Sequence, residues 1–188
     1  MPEPLSHGRV LVVAGPGGNG GGGICGARHL VTRAARVELC LVQPNRLSPA
    51  AEAQLSIYRL TGGGEVPLVG AEDRAAYDLI IDAVIGYSLR GAPEGKAERA
   101  IRWMGSFPTP VFSLDMPSGV DSDTGETPGV FVRAQTTLTL HLPKPGLRNH
   151  AAGDIWVADL GIPAKVTQRV GVPGPEYGGV FLVPLERR

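Results

Sequence analysis

Arg9-Val10-Leu11-Val12-Val13-Ala14 runs directly into Gly15-Pro16-Gly17-Gly18-Asn19-Gly20-Gly21-Gly22-Gly23. The apolar, β-branched first part predicts a buried strand. The glycines predict a loop, and residues 24–36 a helix after it. This order is where nucleotide phosphates bind in α/β proteins, because backbone N–H groups open toward the ligand and a helix N-terminus adds partial positive charge. A glycine-rich turn without a ligand is the alternative. It is disfavoured because so many adjacent glycines cost chain entropy with no packing return visible in the sequence.

The same punctuation continues downstream. Residues 37–42 predict a second strand. Ser48-Pro49 opens a helix to about Leu60, with Ser48 as N-cap and Pro49 in the first turn. Residues 66–69 form a short strand candidate, 77–86 a strand with its exit loop, and 94–103 a helix with Ala97, Ala100, Ile101 and Met104 on one stripe. Strands follow at 110–115, 136–142 and 155–160, with an edge strand at 180–183. Alternation of strand and helix predicts an α/β fold with a mainly parallel sheet and helices on both faces. The ligand then sits beyond the carboxyl ends of the strands, so the loops after Ala14, Ile85 and Leu114 are expected to share one crevice.

The 188 residues fit one domain, 1–188. Eighteen Lys and Arg balance eighteen Asp and Glu, which gives no electrostatic reason to expect nucleic acid or an anionic membrane as partner. With no signal segment and no long apolar run, the expected location is cytoplasmic. The two cysteines, Cys25 and Cys40, form no zinc or redox motif. Cys25 lies near the expected helix start, where a thiol pKa can fall, but a small buried apolar residue is the simpler reading. His7, His29, His141 and His150 show no metal spacing.

Gly15-x-Gly17-x-x-Gly20 matches a dinucleotide fingerprint, yet the second strand ends in Gln43-Pro44 where the ribose-binding acid belongs. An ordinary nicotinamide dehydrogenase is therefore disfavoured. Without Gly-Lys-Ser/Thr, the loop is also no P-loop. Asp82 interrupts an apolar strand, and a buried carboxylate needs hydrogen bonds, a cation or a proton. Asp115 ends a strand at the expected crevice, where reacting carboxylates stand. Residues 121–125 resemble a calcium loop but lack the later glutamate. Asn19, Asp82 and Ser118 offer hard oxygen ligands and one formal negative charge, which suits a monovalent cation better than zinc.

Gly15-Pro16-Gly17-Gly18-Asn19-Gly20-Gly21, Asp82-Ala83-Val84-Ile85-Gly86, Asp115-Met116-Pro117-Ser118-Gly119-Val120-Asp121, Pro143-Lys144-Pro145-Gly146 and Asp159-Leu160-Gly161-Ile162-Pro163 resemble, in order and spacing, the NAD(P)HX epimerase family, the YjeF N-terminal domain. The resemblance implies a Rossmann-like three-layer α/β/α sandwich. It implies an isomerase that interconverts the R and S forms of hydrated NADH and NADPH, a small-molecule nucleotide substrate, one potassium ion per chain, and room for a homodimer. By position, Asn19, Asp82 and Ser118 correspond to the potassium ligands. Gly18, Asn19, Gly20, Gly21, Gly22, Gly86, Tyr87, Ser88, Leu89, Arg90, Gly91, Ala92 and Asp115 correspond to the substrate-binding segments. Asp115 is the candidate acid–base, with Lys144 stabilising charge.

The sequence departs from that family in three places. The family reads Asn-Asn-Gly-Gly-Asp where this chain has Gly18-Asn19-Gly20-Gly21-Gly22, Thr where it has Tyr87, and helices before the first strand. Two other readings accordingly stand beside the epimerase: a non-catalytic nucleotide-binding or scaffold protein, and an enzyme of this fold acting on another small molecule.

Overall fold

A computed structural model describes residues 8–33, 36–68, 77–172 and 177–186. Eight strands form one sheet in the order β3-β2-β1-β4-β5-β6-β7-β8. They are β1 (Arg9–Ala14), β2 (Arg36–Leu41), β3 (Gly64–Val66), β4 (Leu79–Ala83), β5 (Val111–Leu114), β6 (Thr136–Leu140), β7 (Asp154–Ala158) and β8 (Leu182–Leu185). All neighbours are parallel except β7 and β8. The helices are α1 (Gly18–Val31), α2 (Pro49–Arg59), α3 (Gly95–Met104) and α4 (Ala164–Arg169). No described helix is long and apolar enough to cross a membrane.

The near-continuous apolar run of β1 is explained by burial on both sides of the sheet. Val10, Val12 and Ala14 pack under α1 and α2 with Ile24, Ala27, Leu55 and Tyr58. The alternate residues Leu11 and Val13 face the opposite layer, with Ile101, Trp103 and Met104 of α3. These two layers and the sheet give the three-layer α/β/α sandwich. The chain builds outward from β1 to β3, then returns to place β4 on the other side of β1. That reversal opens a crevice between the loops leaving β1 and β4.

Several elements lie where the sequence put them. Ser48 caps α2, accepting a hydrogen bond from the Ala51 N–H at 3.3 Å, with Pro49 at the first helical position. Others differ. The third strand is Gly64–Val66 rather than 66–69, and Val69 lies outside the described residues. The last strand is Leu182–Leu185 rather than 180–183.

The main correction concerns the glycine run. Helix α1 begins at Gly18, so only Gly15-Pro16-Gly17 is loop, and Gly20 to Gly23 are helical. The packing return that the sequence hides is close approach. A Cβ on Gly20 would stand 1.7 Å from the Gly15 carbonyl oxygen, and one on Gly23 would stand 2.4 Å from Ala83 Cβ. A Cβ on Gly15 would reach the Val84 carbonyl oxygen at 2.0 Å. Bare backbone lets α1 press against the loops at the switch point, which offsets its poor helix propensity. Cys25 therefore sits mid-helix, with the Arg28 guanidinium 3.6 Å from its sulfur. Buried Cys40 has its thiol pushed up to about 12 by desolvation.

Two substitutions in α1 separate packing from propensity. Gly26 has open space around its missing Cβ. Gly26→Ala should stabilise the protein by about 0.5–1 kcal/mol in urea denaturation. Gly20→Ala should destabilise it by about 3 kcal/mol or more.

Candidate active site

The segment Val84-Ile85-Gly86-Tyr87, leaving β4, is the hub on which the predicted residues meet. Asp82 precedes it and is wholly buried. Its Oδ1 accepts from the Ser118 hydroxyl at 2.6 Å and the Val84 N–H at 3.2 Å. Its Oδ2 accepts from the Ser118 N–H at 2.8 Å and the Ser113 hydroxyl at 2.9 Å. Burial raises the Asp82 pKa, and the bonds from Ser118, Ser113 and Val84 pull against that rise. The hydrogen bonds that a buried carboxylate needs are thus supplied by nearby donors.

Ser118 extends the network to the hub. Its Oγ accepts from the Ile85 N–H at 2.8 Å and lies 3.2 Å from the Ile85 carbonyl oxygen. Its single hydroxyl hydrogen is committed to Asp82, so no proton remains to join those two oxygens. Asn19, in the first turn of α1, has both amide atoms buried without a hydrogen-bond partner. A buried amide left unsatisfied costs about 1–3 kcal/mol, a cost that a bound ligand could relieve. The structure thus offers unshared oxygen at Asn19 Oδ1 and the Ile85 carbonyl, with the Asp82 charge behind Ser118. Such a donor set fits a hard monovalent cation.

Gly86 joins this network to Asp115, the candidate acid–base. A Cβ at Gly86 would stand 3.0 Å from Asp115 Oδ2 and 3.1 Å from Asn19 Cγ. Asp115 Oδ2 accepts from the Tyr87 N–H at 3.1 Å. Asp115 Oδ1 pairs with the Lys144 ammonium, which also donates to Thr139 Oγ1 at 3.2 Å and to the Leu140 carbonyl at 3.1 Å. Asp115 holds a left-handed backbone, φ 68°. Among the described residues only His141 shares that state outside glycine, and such strain concentrates at functional sites.

Beyond the hub lies a crevice of about 370 Å³, whose walls include Gly17, Gly18, Asn19, Gln43, Gly86, Ser88, Leu89, Arg90, Ala92 and Glu94. The α1 N-terminus opens into it with no side-chain cap and no acidic residue in its first turn. Gly20 and Gly21 do not line it, being buried against Gly15 and Ala51. Gly22 is exposed, its missing Cβ directed at Leu114. Tyr87 is exposed and lies between the lining residues Gly86 and Ser88, and Gly91 supplies a turn at φ 67°. Sequence reasoning missed Ser113, whose signal was a hydroxyl within an apolar strand, in register with Asp82. It also missed Thr139 and the Ile85 carbonyl.

Known proteins agree with this architecture. A family model described as YjeF-related protein N-terminus matches residues 4–146. A protein named NAD(P)H-hydrate epimerase from Dehalogenimonas lykanthroporepellens is 49% identical over 170 residues, covering 90% of this chain and 69% of its own. One of the same name from Truepera radiovictrix is 34% identical, covering 88% and 75%. The bifunctional NAD(P)H-hydrate repair enzyme Nnr of Hyperthermus butylicus is 41% identical over 88% of this chain, which spans only 32% of that longer protein. The crystal structure of yeast ynu0 superposes over 98% of this chain and 80% of its own, with a TM-score of 0.78 at 20% identity, which speaks to the fold. The chain therefore belongs to the YjeF-related protein N-terminus family.

Proposed function

We propose that this chain is an NAD(P)HX epimerase, interconverting the R and S forms of hydrated NADH and NADPH. The observation that carries the reading is Asp115, paired with Lys144 and buried directly behind Gly86, whose bare backbone lines the crevice. The relatives named NAD(P)H-hydrate epimerase support it.

The chemistry inverts one hydroxyl-bearing carbon next to the ring nitrogen. The nitrogen lone pair forms the C=N bond as the C–O bond breaks, and the departing hydroxyl takes a proton and leaves as water. Water then adds to the opposite face of the iminium and returns a proton. No electrons are gained or lost, and one acid–base group serves both directions. Asp115 would carry that transfer, while Lys144, held by Thr139 and Leu140, compensates its charge. The uncapped α1 N-terminus and Arg90 suit the pyrophosphate.

Potassium is part of this proposal. Asn19, Asp82 and Ser118 would hold it together with the Ile85 carbonyl, Asp82 providing the negative charge. The ion would satisfy the orphaned Asn19 Oδ1 and fix the first loop against the hub; the proton transfer stays with Asp115.

One observation favours a second reading: at Gly22, bare exposed backbone replaces the aspartate of the resembled family. A nucleotide-binding protein without turnover would show a melting shift with NAD or ADP-ribose but no conversion of R-NADHX above the spontaneous rate.

Asp115→Asn should lower catalysed R-to-S conversion by about 10²–10⁴-fold. The variant should melt near the parent, because asparagine also tolerates left-handed backbone. Full activity in this variant would remove Asp115 from the mechanism. Potassium chloride should raise the melting temperature relative to choline chloride at equal ionic strength, as any ligand of the native state does. Asn19→Leu should abolish that difference; an equal shift in both proteins would exclude the proposed cation site.

A further inference from the structure

The crevice has a second wall, on the far side of β1 from the hub. Strand β2 pairs with that side of β1, and Gln43, just past its end, lines the crevice. Gln43 opens the tight turn Pro44–Arg46, whose Arg46 N–H donates to the Gln43 carbonyl at 3.0 Å. The turn is strapped to the first loop, because the Val42 N–H donates to the Ala14 carbonyl at 3.0 Å and the Ser48 N–H to the Pro16 carbonyl at 2.8 Å. The Gln43 side chain does not cap the turn. Arg46 is exposed and makes no salt bridge among the described residues. Between Glu38 and Glu65 the sequence holds one acid, Glu52, exposed in the first turn of α2. The turn itself carries one positive charge and no negative one.

Resting on the epimerase reading, we infer that this turn selects the 2′-phosphorylated dinucleotide, hydrated NADPH over hydrated NADH, with Gln43 beside the adenosine ribose and Arg46 on the phosphate. The order of groups along the crevice assigns the ends. Asp115, behind Gly86, keeps the nicotinamide half on the β4 side. The α1 N-terminus at Gly17 and Gly18 takes the pyrophosphate. The adenosine ribose then falls on the β2 side, about one strand spacing of 4.8 Å across. In this topology a free ribose 2′-hydroxyl is held by a carboxylate after β2, and that charge repels a 2′-phosphate. The neutral Gln43 amide removes the repulsion. Arg46 lies one tight turn outside the lining, so the phosphate rather than the sugar is its partner, and its planar guanidinium suits two phosphate oxygens at once.

The test is calorimetric titration with NAD, NADP, ADP-ribose and 2′-phospho-ADP-ribose. The parent should bind each phosphorylated ligand about 3- to 30-fold more tightly than its partner, the range for one exposed charge-assisted contact. Arg46→Ala should bring both ratios to about one by weakening the phosphorylated ligands, and Gln43→Glu should invert them. The parental ratios should also shrink as choline chloride is raised, because an exposed ion pair is screened. Parental ratios near one, or an Arg46→Ala loss shared equally by all four ligands, would overturn the assignment. In the epimerase assay the kcat/KM ratio of R-NADPHX to R-NADHX should follow the binding ratios. If the parent shows no conversion, the epimerase reading falls, and the binding ratios alone then uphold or overturn the phosphate contact.

Discussion

A single carboxylate, sealed from solvent, organises the functional end of this molecule. Asp82 takes four protein donors from three segments: the turn after β4, strand β5, and the loop after β5. Removing such a charge from water is expensive, and several directed hydrogen bonds are required to hold it. The requirement works in both directions. The donors must stay in place to keep the carboxylate satisfied, so the loops that supply them are fixed relative to one another. Val84-Ile85-Gly86-Tyr87 inherits its course from that demand. The N–H groups of Ile85 and Tyr87 then aim at Ser118 and Asp115.

The two aspartates divide their tasks by environment. Asp82 is buried and takes four internal donors, which suits anchoring. Asp115, one strand over, pairs with the Lys144 ammonium and lies behind Gly86, whose backbone lines the crevice. Its left-handed backbone turns the chain between β5 and the following loop, and the Asp115 N–H bonds to the Leu138 carbonyl at 2.8 Å. Strain of this kind costs about 1–3 kcal/mol and persists only where neighbours over-determine the conformation. Here Tyr87, Lys144 and Leu138 do so.

Much of this arrangement was legible in the amino-acid order. The run from Arg9 to Ala14, the Ser48-Pro49 cap and the polar interruption at Asp82 each carry a local physical signal. So does the placement of Asp115 at a strand end, and the convergence of three loops follows from parallel topology. The start of α1 was not legible. Glycine is a poor helix former, and only the tertiary contact with Gly15, Ala51 and Ala83 makes it the residue that fits. The Ile85 carbonyl was invisible for another reason, since a backbone oxygen is present at every position and its availability depends on where the neighbouring protons go. Thr139 reads as an ordinary half-buried strand residue until the Lys144 ammonium is seen beside it.

The order of strands has a consequence for how the protein acquires its chemistry. Strand β1 is synthesised first yet ends in the interior of the sheet, and its partner β4 arrives far later, with Val10 beside Leu79. Closing so long a loop is entropically unfavourable until the intervening helices have docked. A nascent chain therefore has no crevice until β4 and the loop after it have joined β1. Ligand capture is tied to the docking of β4 on β1, and occupancy would protect that pairing from unravelling.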